Sequence, residues 1–192
     1  IDTHNNRIRS IRTTSSVLQA DQFVIAGGAW SSQLLQPTRN DCGIRPIKGQ
    51  MLLLKGRHDC VKRITLSEDR YIIPRKDGHV LVGSTTEDVG FNKGTSVQVR
   101  QQLLDYAVRT IPELSSFTLQ QHWSGLRPGS DNGIPKIGQH YQFENLYMNS
   151  GHYRNGLVLA PASARLLSEI MLQKPASLEP GDYTPCDTGH RN

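Results

Sequence analysis

Two junctions of one kind stand near opposite ends of this sequence, and they restrict its fold more than any other feature. In FVIAGGAWSS, residues 23–32, a short apolar run meets a glycine pair and then a helix-forming stretch. In NSGHYRNGLVLAP, residues 149–161, the strand-like end of ENLYMNSG passes through Gly151 and Gly156 into another helical pattern. A buried strand that ends in glycine and turns into a helix is the repeating unit of α/β layers. Two such units are too few to build and cover a parallel sheet. What separates them is β-rich. The expected class is therefore α+β: an antiparallel β-sheet domain with flanking helices, inserted into part of an α/β domain.

The rest of the chain fills in this outline. Residues 6–25 read as extended, with Ile8 and Ile11 spaced among polar residues. AWSSQLL is a helical turn that Ser31 or Ser32 can cap. IRPIKGQMLLLKG holds the apolar run Met51–Leu54 between glycines, and RYIIPRKDGHVLVGST reads as a hairpin turning through Lys76, Asp77 and Gly78. The clearest helix runs from Thr95 to Ile111, where Val99, Leu103, Ala107 and Ile111 form an i, i+4 ladder with Leu104 and Val108 beside it. Thr95 or Ser96 caps its start and Pro112 stops it. A strand from Thr118 to Trp123 leads into SGLRPG, whose Gly125, Pro128 and Gly129 predict a cramped turn around Arg127, followed by the SDNG loop. LVLAPASARLLSEIML is the last helix, with Pro161 near its first turn. The tail from Lys174, rich in Pro, Gly and Asp, reads as an arm or a disordered segment.

At 192 residues the chain holds one large domain or two small ones. Twenty-two Lys+Arg against 17 Asp+Glu give a net charge of +5, which suits an anionic ligand. The basic residues are scattered, however, and no aromatic and basic interleaving of the kind that stacks bases is present, so nucleic acid is not the expected partner. Cys42, Cys60 and Cys186 are odd in number and far apart, without zinc-ligand spacing; reduced thiols in a cytoplasmic protein are the simplest account, and no metal is expected. No apolar run approaches the roughly 20 residues that span a membrane, and no basic-then-apolar segment opens the sequence. It begins at Ile1 without an initiator methionine and is read as a piece of a longer chain.

Chemistry-bearing residues gather at the two junctions and at two points between. Ala26, Gly27, Gly28 and Trp30 follow the first strand, where backbone N–H groups and a helix start can face a polar ligand; a tight turn gives the same pattern. His152, Tyr153, Arg154, Asn155, Gly156 and Leu157 precede the last helix, whose N–H groups can stabilise negative charge on an electron-accepting ring; a polar surface loop is the other reading. Tyr71 opens the hairpin near Arg75, and Arg127 lies in GLRPG. His122 and His152 qualify as acid–base groups by residue type, but neither is assigned catalysis.

In order, FVIAGGAWSS, PIKGQMLLLKG, YIIPRKDGHVLVGST, HWSGLRPGSDNGIPKIG and GHYRNGLVLAP resemble the C-terminal half of the glycine oxidase and D-amino-acid oxidase family of FAD-dependent flavoenzymes. The resemblance covers about residues 21 to 172 and points to the glycine oxidase branch associated with thiamine biosynthesis. It implies part of a Rossmann-like FAD-binding domain over residues 1–43, a substrate domain over 44–123, a return to the FAD domain over 124–173, and a tail over 174–192. It also implies roles for individual residues. Arg127 is similar to the arginine that clamps the substrate carboxylate, Tyr71 to the tyrosine whose hydroxyl assists there, and Arg154 to a second active-site arginine. Ala26, Gly27, Gly28, Trp30, Arg127, His152, Arg154, Asn155, Gly156 and Leu157 are implied to lie against FAD.

The implied reaction moves hydride from the substrate Cα to the flavin, after which the imine hydrolyses and oxygen yields peroxide. The implied partner is a small amino acid, and homo-oligomers occur in the family. Two departures stand out. The family's GxGxxG is absent, so the first half of an intact enzyme is missing and this chain alone is expected to be inactive. Thr86 lies where glycine oxidases can carry a larger apolar residue, which implies a roomier pocket. No cysteine lies between Arg127 and Gly151, which argues for non-covalent FAD. The competing readings are a D-amino-acid dehydrogenase, a tRNA-modifying oxidase domain, and a non-catalytic binding module.

Overall fold

A computed structural model describes residues 1–38 and 41–185; Cys186 lies outside the described residues. The elements are β1 (Asp2–His4), β2 (Arg7–Arg12), β3 (Val17–Leu18), β4 (Phe23–Ile25), α1 (Ser31–Leu35), β5 (Ile44–Lys55), β6 (Thr65–Ser67), β7 (Arg70–Pro74), β8 (His79–Gly83), α2 (Val97–Thr110), β9 (Thr118–Ser130), β10 (Lys136–Gln139), β11 (Leu146–Ser150) and α3 (Gly156–Met171). They divide into two compact units: Ile1–Pro46 with the chain from Arg127 onward, and Ile47–Leu126. The class is α+β, as expected.

In the first unit β4 lies parallel to β11, with Phe23, Val24 and Ile25 beside Leu146, Tyr147 and Met148, and β10 pairs antiparallel on the other side of β11. Alternation along β11 sorts its side chains onto two faces. Leu146 and Met148 join Ile8, Phe23, Ile25, Leu35, Ile44 and Phe143 in one cluster. Tyr147 points the other way and packs with Ile137, Leu166 and Leu167 of β10 and α3. Buried Asn145 stitches the edge of this core, accepting from the Ile8 N–H at 2.8 Å and donating to the Ile8 carbonyl at 2.9 Å.

The second unit is a sheet in the order β6-β7-β8-β5-β9. Its hairpin turns as expected: Gly78 takes φ +81°, and the Arg75 N–H donates to the His79 carbonyl at 2.8 Å. Leu52, Leu54, Ile72, Val80 and Val82 occupy one face and pack against Leu103, Tyr106 and Ala107 of α2. Ser96 caps α2, its hydroxyl accepting from the Val99 N–H at 3.2 Å, with the i, i+4 ladder facing the sheet. Tyr106, one position off that ladder, is almost fully buried in it as well.

A polar knot closes this unit. Lys48 and Glu87 exchange both backbone hydrogen bonds at 2.9 Å, and Lys48 Nζ lies 2.8 Å from Glu87 Oε2 with the lysine side chain only 6% exposed. Gln50 Nε2 donates to the same carboxylate at 2.9 Å. Burial pulls the Glu87 pKa upward, but hydrogen bonds from Lys48, Thr85 and Gln50 outweigh it and hold the group below its usual range. Lys48→Met strands that carboxylate, and a loss of about 3 kcal/mol is expected in urea denaturation.

Four expectations are corrected. GLRPG is not a turn: β9 continues as strand through Arg127 to Ser130. The fixed φ of Pro128 suits extended backbone, and β9 is an edge strand, where a missing N–H is tolerated. The turn comes later, at Gly133 with φ +75°. Neither Ser31 nor Ser32 caps α1, because a 3-10 turn over Gly28–Trp30 precedes it and both hydroxyls bond elsewhere. Pro161 lies inside α3 rather than in its first turn, since that helix already begins at Gly156. The tail is ordered as far as it is described: the Ser177 N–H donates to Glu169 Oε2 at 2.7 Å, and Tyr183 packs against the β10–α3 cluster.

Candidate active site

Both glycine junctions fall at the C-terminal ends of the parallel pair β4 and β11, so adjacency in the sheet brings them together. In open α/β sheets this edge is where ligands bind. Ala26, Gly27 and Gly28 leave β4, and Gly28 takes φ +56° with no atom within 4 Å of where a Cβ would lie. Exposed Ala26 and Trp30 flank this bend, with the Trp30 N–H donating to the Gly27 carbonyl at 3.0 Å.

Two buried hydroxyls lock the junctions to each other. Ser31 Oγ and Ser150 Oγ lie 2.7 Å apart, and they approach the Gly28 carbonyl to 2.8 and 3.1 Å. Sequence reasoning missed this pair, because it assigned Ser31 to capping and gave Ser150 no role. Its only trace is a serine beside each glycine bend.

After Ser150 the chain enters a strained bend. Gly151 has φ +88° and Tyr153 φ +49°. The Tyr153 N–H donates to the Pro128 carbonyl at 2.9 Å, which ties this bend to the end of β9. Arg127 and Arg154 are each next in sequence to one end of that bond. The strand and loop carrying the two expected arginines are thus held side by side. Half-buried Arg127 extends from β9, while exposed Arg154 has its guanidinium 5.6 Å from the Tyr153 ring centroid.

Asn155 precedes α3 without a side-chain cap, so the N–H groups of Gly156 and Leu157 point out of an open helix start. Leu157 is 93% exposed. The unfilled space at Gly28 and this uncapped helix start suit a flat group that takes on negative charge at the sheet edge, and in that respect the residues present fit FAD. Among the described residues no cluster could hold a metal ion, and no helix is long and apolar enough to cross a membrane.

Tyr71 belongs to the other unit. It stands on β7 with its hydroxyl directed at Met51 Sδ, 3.5 Å away. Exposed Thr86 lies between Thr85 and Glu87 of the polar knot. The imidazole of His122 is buried at Nε2.

The His152 ring lies against α3, its Nε2 2.9 Å from Ser163 Oγ. Burial holds His152 below its ordinary pKa, and buried His140, whose Nδ1 accepts from the Gln142 N–H, is lowered for the same reason. Both groups bind protons more readily when unfolded. Their contribution to stability is therefore full above about pH 6.5 and is lost as pH falls through the lowered folded values. The melting temperature is expected to drop between pH 7.5 and 5.5, a window in which ordinary carboxylates stay ionised, and His152→Gln should flatten that slope.

The family model described as FAD dependent oxidoreductase matches residues 1–170. Glycine oxidase of Pseudomonas aeruginosa is 43% identical over 180 residues, which cover 94% of this chain and 50% of that protein. Bifunctional protein ThiO/ThiG of Trichormus variabilis is 34% identical over 172 residues, 88% of this chain and 26% of that protein. The crystal structure of glycine oxidase from Geobacillus kaustophilus superposes with a TM-score of 0.88 at 26% identity, over 95% of this chain and 49% of that one. The chain spans about half the length of the glycine oxidases it matches.

Proposed function

Because this chain belongs to the family of FAD dependent oxidoreductases, we propose that the protein it comes from oxidises the Cα–N bond of glycine or a small D-amino acid. The observation that carries this reading is the hydrogen bond from the Tyr153 N–H to the Pro128 carbonyl, which keeps Arg127 and Arg154 on neighbouring backbone at the sheet edge. Two guanidiniums there select an anion, and a substrate carboxylate is the anion an amino acid offers.

In this reading the unit Ile47–Leu126 supplies the substrate-binding sheet, and the other unit supplies part of the FAD-binding domain. Arg127 holds the carboxylate through two parallel N–H donors, a geometry lysine cannot reproduce. Arg154 adds positive charge, and the family resemblance implies that the Tyr71 hydroxyl assists at a substrate carboxylate. The N–H groups of Gly156 and Leu157, at the uncapped start of α3, would hold the FAD ring and favour negative charge there. FAD, when bound, supplies the electron acceptor for the Cα–N oxidation. The protein's share is orientation, holding the Cα of a neutral amine toward that acceptor, and no side-chain base is needed for it. His152, turned toward Ser163, serves to brace the loop.

The test is made on the chain extended upstream to its first methionine. It should be yellow, and glycine or D-alanine should bleach it, with the colour returning in air as oxygen is reduced to peroxide. D-Alanine is included because Thr86 leaves room for a larger substrate. A colourless protein that takes up no FAD defeats the reading; bleaching without recovery in air makes the enzyme a dehydrogenase.

A further inference from the structure

The register of the second unit sets Tyr71 of β7 beside Gly83 of β8, and Gly83 beside Met51 of β5. The three residues form a row across three strands. They lie on the face opposite Leu52, Ile72 and Val82, which pack with α2. Outer members of such a row have backbones about 9 to 10 Å apart, and a side chain on the middle strand normally separates them. Here the middle residue has none. A Cβ at Gly83 would lie 3.2 Å from Tyr71 Cε2 and 3.0 and 3.3 Å from Met51 Cγ and Cε. Tyr71 and Met51 lean over the glycine until the phenol reaches Met51 Sδ at 3.5 Å. Both side chains are half-buried and belong to no core cluster, so this contact does not serve the packing against α2.

We propose that Met51 is a positioning residue for Tyr71. Its unbranched thioether, seated in the space Gly83 leaves, stops the phenol ring from swinging and gives the hydroxyl a weak acceptor. A thioether is a far poorer acceptor than a carboxylate, so an arriving substrate takes over the hydroxyl while the ring stays in place. This rests on the reading of Tyr71 as a substrate contact.

The upstream-extended holoenzyme tests it through Met51→Ala, Met51→Leu, Tyr71→Phe and the double variant Met51→Ala/Tyr71→Phe. Glycine kinetics are measured together with calorimetric binding of acetate, a carboxylate that cannot be oxidised. Met51→Ala is expected to raise both the glycine KM and the acetate Kd by about five- to tenfold, with kcat within about twofold of the parent. Met51→Leu, which keeps the bulk, should recover most of that loss. In the Tyr71→Phe background Met51→Ala should add less than about twofold, because the hydroxyl it positions is gone. The assignment is overturned if Met51→Ala leaves KM and Kd unchanged, or if its effect is the same with and without the Tyr71 hydroxyl. If the parent enzyme oxidises glycine normally, such a result removes the Met51 assignment alone. If the parent oxidises no amino acid and binds no acetate, the activity reading fails, and this assignment falls with it.

Discussion

Arg127→Ala in the upstream-extended enzyme is expected to lower kcat/KM for glycine by about 100- to 1,000-fold, counted per bound flavin. The size follows from what the guanidinium is assigned to hold. A carboxylate taken from water into a half-buried site loses its hydration, and only a charge-assisted, two-pronged hydrogen bond replaces it well. Without the arginine the carboxylate enters unpaired, and the cost is that of a broken charge pair. Arg127→Lys keeps the charge and loses the fork, so a smaller drop of about tenfold is expected, mostly in KM. Steady-state kinetics alongside the visible spectrum separate these outcomes from loss of cofactor. If Arg127→Ala stays within about threefold of the parent, the carboxylate is held elsewhere and the roles of Arg127 and Arg154 must be reassigned.

The position of Arg127 also shows where the sequence was legible and where it was not. Alternation and helical spacing are local properties, so the hairpin through Gly78, the Ser96-capped helix and both strand-to-helix junctions were readable directly. GLRPG misled because Gly and Pro disrupt regular structure in most settings. Edge position is a property of the whole sheet, and it lets Pro128 remain in a strand. The tail misled for a related reason: its composition is that of disordered segments, but Glu169 and the β10–α3 cluster give Ser177 and Tyr183 partners that composition does not reveal. The residues lining the candidate site were nameable one by one. Their assembly was not, since the Ser31–Ser150 contact and the Tyr153–Pro128 bond join positions 119 and 25 residues apart. No window of sequence displays such a pairing.

Gly151→Ala is expected to cost about 3 kcal/mol in urea denaturation, a large fraction of the stability of a typical domain. Two separate penalties meet at this residue. At φ +88° an alanine is strained by its own backbone, which accounts for about 1 kcal/mol or somewhat more. Its Cβ would also lie 2.8 Å from Ile44 Cδ1, with Pro135 Cα and Ser130 Cβ each at 3.4 Å. Ile44 is in the buried core and the other two contacts involve backbone and a Cβ, so the neighbours have little freedom to yield. Gly133→Ala is the control: φ is +75° there, but nothing lies within 4 Å of the added methyl, so only the conformational penalty of about 1 kcal/mol applies. The gap between the two variants measures the packing around Gly151. Equal losses would mean that the bend relaxes freely and does not fix the loop that carries Arg154. A gap of about 2 kcal/mol would mean that β11, Ile44 and the end of β9 clamp this bend. In that case the placement of Arg154 beside Arg127 is held by the same contacts that hold the first unit together.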